Sequence, residues 1–566
     1  MLLQDAENCI NFYVEVAEVD GAKEPVALLG TPGLNAILST QTGQSRGAWV
    51  LPGGLQALVV TSNKLYLVTQ TVPATQTAIA QFSVAVVGTL LTNSGPVVMR
   101  DNGVVSNGKG GYVFIVDGQY WYFYRIAGAG TVSFSAGVAN TSTTITLPGP
   151  LPAGLIISPG AVLTEAGGLI PAGTVISSIN YSAPSITMSA AATGTNATTT
   201  VTLTVAVFGQ LTDPGLLPAD RLAFIEGWII ANDTGTRTFF TTGPTPYSNT
   251  FPATFFALKD SSTDNLITLY ENSRELWLIG ERTSEVWYQS GGQQFAFMRI
   301  PGVGPQIGCA AKHSITRMGS SLVWLGKNEQ GENIVVASSE YSWERISNHA
   351  VEHAISQYPL VSDAIGYAYE DEGHMFYVLT FPTADQTWVF DATSSKNLGK
   401  MSWHQRLSFD PVLGVYHRHQ GNWFMNLQNL RLIGDYQTGQ IHQMSRQFYS
   451  DNGTPLRAQR RSKHVWDKAT RQRVFQTSLQ IEFTPGVGLQ VGQGSSPQVM
   501  VRWSNDGGFT WSNEYWLPIG AAGQTRNRAK INRLGEARDR VYEVNYSDPT
   551  PRDIIGATLF GETETA

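Results

Sequence analysis

Across residues 264–348, apolar and aromatic residues alternate with polar ones in runs of four to eight, and Gly, Asn and Asp break the runs. Period-two patterning places successive side chains on opposite faces of a strand and leaves one face to bury. Two hairpins are legible there. Asn272-Ser273-Arg274 joins segment 267–270 to 276–279, and the turn at 327–331 joins 322–325 to 334–337. A chain with this centre is committed to β-structure, and its flanks repeat the pattern. Asn63 separates 58–60 from 65–68. Asp117-Gly118 turns a hairpin in YVFIVDGQYWYFYRI, a strong two-residue signal. Segment 376–381 returns as 388–390, and 423–427 returns as 430–433.

Outside one insertion these hairpins recur at roughly fifty-residue intervals, near the spacing of propeller blades. The blade reading has a mechanism. A lone four-stranded sheet cannot bury both faces, whereas radial stacking buries them and leaves only short edges. No WD40 or kelch signature accompanies the repeats, and stacked sandwiches are the alternative. The exception is residues 127–207. Between Arg125 and Asp213 the only charged residue is Glu165, and short Thr/Val/Ile runs are separated by Pro-Gly and Asn. That length suits a small inserted β-sandwich, and its uncharged surface fits subunit packing and neutral decoration alike. From about Arg446 the chain turns basic and then resumes alternating strands. The expected architecture is therefore all-β, an irregular β-propeller body with an inserted β-sandwich. Residues 1–126 form an N-terminal segment and first blades, 127–207 the insertion, and 208–445 the remaining blades. Residues 446–566 form a C-terminal β region that closes the propeller or makes a platform.

At 566 residues the chain exceeds one ordinary core. Lys and Arg number 37 against 44 Asp and Glu, a net charge of −7. Free-standing DNA binding needs clustered cations and is disfavoured, while a lumen through which DNA slides is not. Cys9 and Cys309 are the only cysteines and form no CxxC, which argues against a disulfide framework or thiolate metal site. No signal peptide is apparent near Asp5 and Glu7. No apolar run of about 18 residues occurs, so no membrane-spanning segment is expected.

Three features invite chemistry. His349-Ala350-Val351-Glu352-His353 matches H-x-x-E-H, in which two histidines one helical turn apart bind zinc. A third ligand is required, and Glu370, Glu372 and His374 sit at a turn entering a strand. His349, Glu352 and His353 are accordingly rejected as a metal site. Residues 504–511, SNDGGFTW, fit the Asp-box turn, in which Ser and Asp bond the turn backbone and Gly takes the strained φ. This is a folding device; a sialidase would also need an arginine triad, a Tyr nucleophile with its Glu and several such boxes, and only one box is visible. The basic cluster Arg457, Arg460, Arg461 and Lys463 is a candidate contact for DNA or an acidic partner, with a solvated rim as the plainer reading. No G-x-S-x-G elbow, Walker loop or dinucleotide fingerprint occurs. No catalytic residue, metal or cofactor is expected.

A set of sequence words remains: NFYVEVAE, ALLGTPGL, RGAW at 46–49, GPVVMRDNGV at 95–104, RELWLIGERTSEVWYQSGG, FMRIPGVGPQIGCAAKHSI, VWLGKNEQGENIV, RISNHAVEHAI, VSDAIGYAYEDEGHMFYVLTFPTADQTWVFD and MSWHQR. In this order, from residue 8 to about 445, they resemble the packaged-DNA stabilisation proteins of short-tailed bacteriophages, also called tail hub or head-to-tail nozzle proteins. The resemblance implies a structural virion tail protein, assembled in the host cytoplasm as a homo-hexameric ring below the portal adaptor. It further implies a DNA channel that passes the genome without sequence specificity and retains it after packaging. Tail fibres or tailspikes, and a needle or plug, are the implied docking partners. The insertion and the tail after 446 depart from the family pattern. The alternative function is a carbohydrate-binding or carbohydrate-cleaving virion propeller.

Overall fold

A computed structural model describes residues 7–563 except 18–23, 74–79, 104–110, 129, 149–155, 157–160, 181–184, 214, 244, 293–294 and 470. Asp5, Val104 and the Pro-Gly segments at 149–155 lie outside the described residues. The described chain is almost wholly β, with two short helices, His349–Ser356 and Ala392–Leu398.

Among the described residues, seven antiparallel blades follow one another. Their strands fall within 45–89, 98–125 with 208–211, 222–258, 266–299, 308–345, 365–405, and 421–445 with 33–39. Local turn chemistry sets the hairpins. In the fourth blade Leu266–Asn272 and Glu275–Gly280 pair through Ser273-Arg274, both at positive φ (51° and 69°), the twist-matched two-residue turn. Gln428-Asn429 makes the equivalent turn in the seventh blade, at 53° and 62°.

Each blade has two apolar faces, and the cores lie between blades. Leu58 and Val60 of the first meet Val113 and Ile115 of the second. Phe114 and Phe123 of the second meet Ile229 and Phe240 of the third. Trp277 and Trp324, both fully buried, pack with ring centres 6.4 Å apart between the fourth and fifth. The helix His349–Ser356 inserts Val351 and Ile355 between the fifth and sixth. Finally Val59 and Val68 of the first blade pack against Trp423, Leu427 and Ile441 of the seventh. The ring is thus joined by side-chain packing, with each blade burying both faces.

The outer strand of the seventh blade is N-terminal. Gly33–Ser39 pairs antiparallel with Gln440–Ser445, from Gly33↔Ser445 to Ser39↔Gln440 with a register shift between Ala36 and Leu38. Gly33 is required at the crossing, since a Cβ there would lie 2.4 Å from the Phe448 carbonyl oxygen. Of the two roles expected for residues 446–566, closing the ring therefore falls instead to the N-terminal segment.

The C-terminal residues build a two-layer sandwich. One layer contains Ala458–Arg461, Val541–Tyr546, Gln498–Ser504 and Tyr515–Pro518; the other contains Ile554–Thr563, Val474–Phe483 and Ala529–Ala537. Residues 8–16 and 26–30 complete both layers, so this part of the N-terminal segment belongs to the sandwich and not to the first blades. Asn8–Ile10 pairs with Ala458–Arg461, Phe12–Val16 pairs with Val26–Gly30, and Leu28 meets Ile554. Phe12 sits in a core with Ile481, Val499, Val501 and Tyr546. Ile10 also pairs in parallel with Gln405 of the sixth blade, so one N-terminal strand joins the two units. Asn11, fully buried at φ 56°, locks the junction. Its Nδ2 donates to the Leu407 and Arg457 carbonyls (2.7 and 2.8 Å), and its Oδ1 accepts from Leu407 N–H (3.0 Å).

The insertion leaves the second blade between Trp121–Arg125 and Phe208–Leu211. It is one six-stranded antiparallel sheet with its own core, including Ile145, Leu163, Ile186 and Leu203. The edge strands meet at Val162↔Val175, so the sheet wraps round that core. Its carboxylate, Glu165, accepts from Thr199 Oγ1 (2.6 Å) and Leu169 N–H (2.9 Å), bonds that hold its pKa below the usual range.

Candidate functional site

The basic cluster lies on and beside the sandwich strand Ala458–Arg461. Period two sends Arg460 and Arg461 to opposite faces, and each finds an internal partner. Arg460 pairs with Glu7 at 2.9 Å. Arg461 pairs at 2.8 Å with Glu543, whose carboxylate is fully buried and also takes Arg502 at 2.5 Å. Burial would raise the Glu543 pKa, but Asn545 and the two guanidiniums hold it below the ordinary value. Arg461 and Arg502 both lie over the Trp511 ring, 4.9 Å from its centre. Arg457 lies over Phe409 at 5.2 Å and 3.9 Å from Glu514. Lys463 alone of the four is exposed. Three of the four are therefore tied into intramolecular pairs.

The Asp-box turn joins two strands of the sandwich. Gly508 N–H donates to Ser504 Oγ (2.8 Å), while Phe509 and Thr510 N–H donate to Asp506 Oδ1 (3.0 and 2.9 Å). Gly507 and Gly508 take φ of 76° and 102°. These bonds, with Ser504 and Thr510 foremost, hold Asp506 far below the usual carboxylate range. In HAVEH, Asn348 Oδ1 caps Val351 N–H at 3.0 Å, and Glu352 accepts from Arg345 Nε and Ser347 Oγ, each at 2.6 Å. Its glutamate anchors the helix start while both histidines are exposed. Among the described residues no group of three His, Cys, Asp or Glu is placed to hold a metal.

The feature that sequence reading missed is the propeller axis. Residues on or just before the first strands of the blades line a cavity of about 400 Å³. Arg100 lies in its wall with its guanidinium 4.6 Å from the Trp49 ring centre and 5.7 Å from Tyr270, paired to Glu271 at 3.2 Å. Arg46, from the RGAW word, is consumed structurally. Its nitrogens donate to the carbonyls of Ser62, Thr92, Ser94 and Gly95 and to Thr92 Oγ1. Arg221 and His313 complete the polar wall. These residues lie on separate blades, so no local spacing announces them.

Fold and site together define a propeller–sandwich protein whose charged side chains serve largely to weld its parts. A family model described as Bacteriophage P22 Gp10, beta-propeller, matches residues 161–449, and one described as Bacteriophage P22 Gp10, beta-sandwich, matches 459–561. The chain belongs to this family, the phage tail nozzle or DNA-stabilisation proteins, and is a structural component of the virion tail. The blades extend the propeller N-terminally of the matched range, to residue 33. No curated protein matches the chain. Solved structures that match include S. cerevisiae Dbp5 bound to Nup159 and Gle1, at 7% identity over 77% of this chain and 99% of that one, TM-score 0.34. Others are Kluyveromyces lactis Hsv2p, at 10% over 66% and 96%, TM-score 0.24, and the phage phi92 endosialidase, at 10% over 91% and 69%, TM-score 0.23. Scores this low carry no argument about function.

Proposed function

We propose that the chain is the repeating subunit of a tail nozzle, a six-membered ring below the portal adaptor that extends the DNA channel and retains the packaged genome. The observation that carries this reading is the family match across both propeller and sandwich. The geometry adds a physical reason for a ring. A cavity of about 400 Å³ has the size of a small-ligand site, whereas duplex DNA has a major groove alone about 12 Å wide. DNA therefore passes between subunits and not down a propeller axis. A net charge of −7 suits a lumen wall that does not hold phosphate.

Exposed apolar side chains supply material for contacts with copies and tail partners. Val412 and Leu413 stand 90% and 70% exposed at the tip of the hairpin Leu407–Asp410/Val415–Arg418, and Phe509 and Trp516 are 65% and 59% exposed on the sandwich. Fibres or tailspikes and a needle or plug are the proposed occupants of such surfaces. Assembly takes place in the host cytoplasm, and the work is binding and gating without bond chemistry. Incubating the purified chain with host polysaccharide tests that last point. No sugar release is expected; release abolished by replacing one carboxylate or tyrosine would establish the carbohydrate-cleaving alternative.

A further inference from the structure

One cation in the wall of the axial cavity has no ion pair among the described residues. Arg221 stands at the entrance of the third blade, its backbone N–H bonded to Asn232 Oδ1 at 2.9 Å. The residue is only 8% exposed, yet its guanidinium has weak company. Nη1 lies 3.4 Å from His313 Nδ1, and Nε, buried, has no hydrogen-bond partner among the described residues. Nearby carboxylates are already engaged. Asp220 accepts from Lys312 Nζ at 2.5 Å and from Asn232 Nδ2 at 2.9 Å. Glu271 takes Arg100, and Asp101 accepts from Trp49 Nε1 at 2.8 Å. Each neighbouring cation has a carboxylate at hand, Asp117 for Arg46, Glu271 for Arg100 and Asp220 for Lys312, whereas Arg221 forms no ion pair among the described residues. His313 adds none at neutral pH, because burial and the adjacent Arg221 push its pKa down to about 3.

A buried, unpaired guanidinium is costly unless a counter-charge completes it. We propose that the axial cavity is a binding site for one small oxyanion, of the phosphate or carboxylate type, held by the Arg221 guanidinium. Arginine presents a planar fork that matches such anions. His313 orients that fork by accepting from Nη1. Arg100, kept in place between two aromatic rings, adds positive potential from the facing wall. The sequence gives this no local signature, because each contributor comes from a different blade.

Calorimetric titration of the full chain tests the proposal, with inorganic phosphate and acetate as probes at constant ionic strength set by chloride. One saturable site per chain is expected. Arg221→Gln should weaken it by about tenfold or more, as loss of a charge-assisted bond does, while Lys400→Gln, at an exposed position, leaves it unchanged. Preference for phosphate assigns the site to free phosphate, and preference for acetate assigns it to a carboxylate ligand; both support an oxyanion site. Absence of saturable binding by either probe, or equal binding by wild type and Arg221→Gln, overturns it. Should Arg221→Gln fail to fold, a density map of the wild-type chain with phosphate decides. An anion within hydrogen-bond reach of Arg221 supports the site, and anions on the outer surface alone refute it.

Discussion

His374 ties the sandwich to the sixth blade, and its charge is set by both. The imidazole is 4% exposed. Nδ1 lies 2.8 Å from Asp391 Oδ2, and Nε2 lies 2.7 Å from Glu15 Oε2 on the sandwich strand Phe12–Val16. Burial alone would lower its pKa, but the two carboxylates outweigh burial and raise it to about 9. An unfolded chain holds histidine near 6.5. A group whose folded pKa is raised gives stability that is complete below the unfolded value and is lost as pH climbs through the folded one. The separation corresponds to about 3 kcal/mol. Glu15 is 40% exposed, and solvent screening there reduces the contribution to about 2 kcal/mol. Denaturant unfolding of wild type and His374→Gln, followed by tryptophan fluorescence from pH 6 to 10, measures it. The stability gap should be widest near pH 6 and narrow by about 2 kcal/mol toward pH 10. A gap that stays constant, or widens with pH, would refute the imidazolium bridge.

Asn11→Ala removes three hydrogen bonds of a fully buried side chain and puts alanine at positive φ; a loss of about 3–4 kcal/mol is expected by denaturant titration, with Asn11→Gly recovering only the backbone share. Glu543→Gln leaves Arg461 and Arg502 without their shared counter-charge and should cost about 3 kcal/mol in the same assay. Cys309 is a buried thiol whose pKa burial pushes up to about 12. Mass spectrometry after iodoacetamide at pH 8 should therefore find it unmodified in the native chain and alkylated in urea.

How much of this was legible follows from where each signal resides. Hairpins such as 266–280 are written locally, in alternation and a turn dipeptide, so the all-β class and the propeller body were within reach. The number of blades was not. Outer strands such as Phe256–Leu258 and Phe297–Arg299 are three residues long and partly exposed, too short to show a period. Ring closure pairs Gly33 with Ser445, and the sandwich pairs Asn8 with Arg461. Contacts across more than four hundred residues leave no trace in local pattern. The pairing within the basic cluster was hidden for a related reason. Its carboxylate partners, Glu7, Glu514 and Glu543, lie elsewhere in the chain, so the run looks unpaired when read alone. The axial wall is the extreme case, since Arg100, Arg221 and His313 come from three blades.

The central claim is that this chain builds a closed ring on the adaptor. Electron micrographs of the purified chain mixed with its portal adaptor test it most directly. Closed six-fold rings, stacked coaxially below the adaptor with an open lumen between subunits, are the expected result. A particle that stays strictly monomeric and never joins the adaptor would contradict the account.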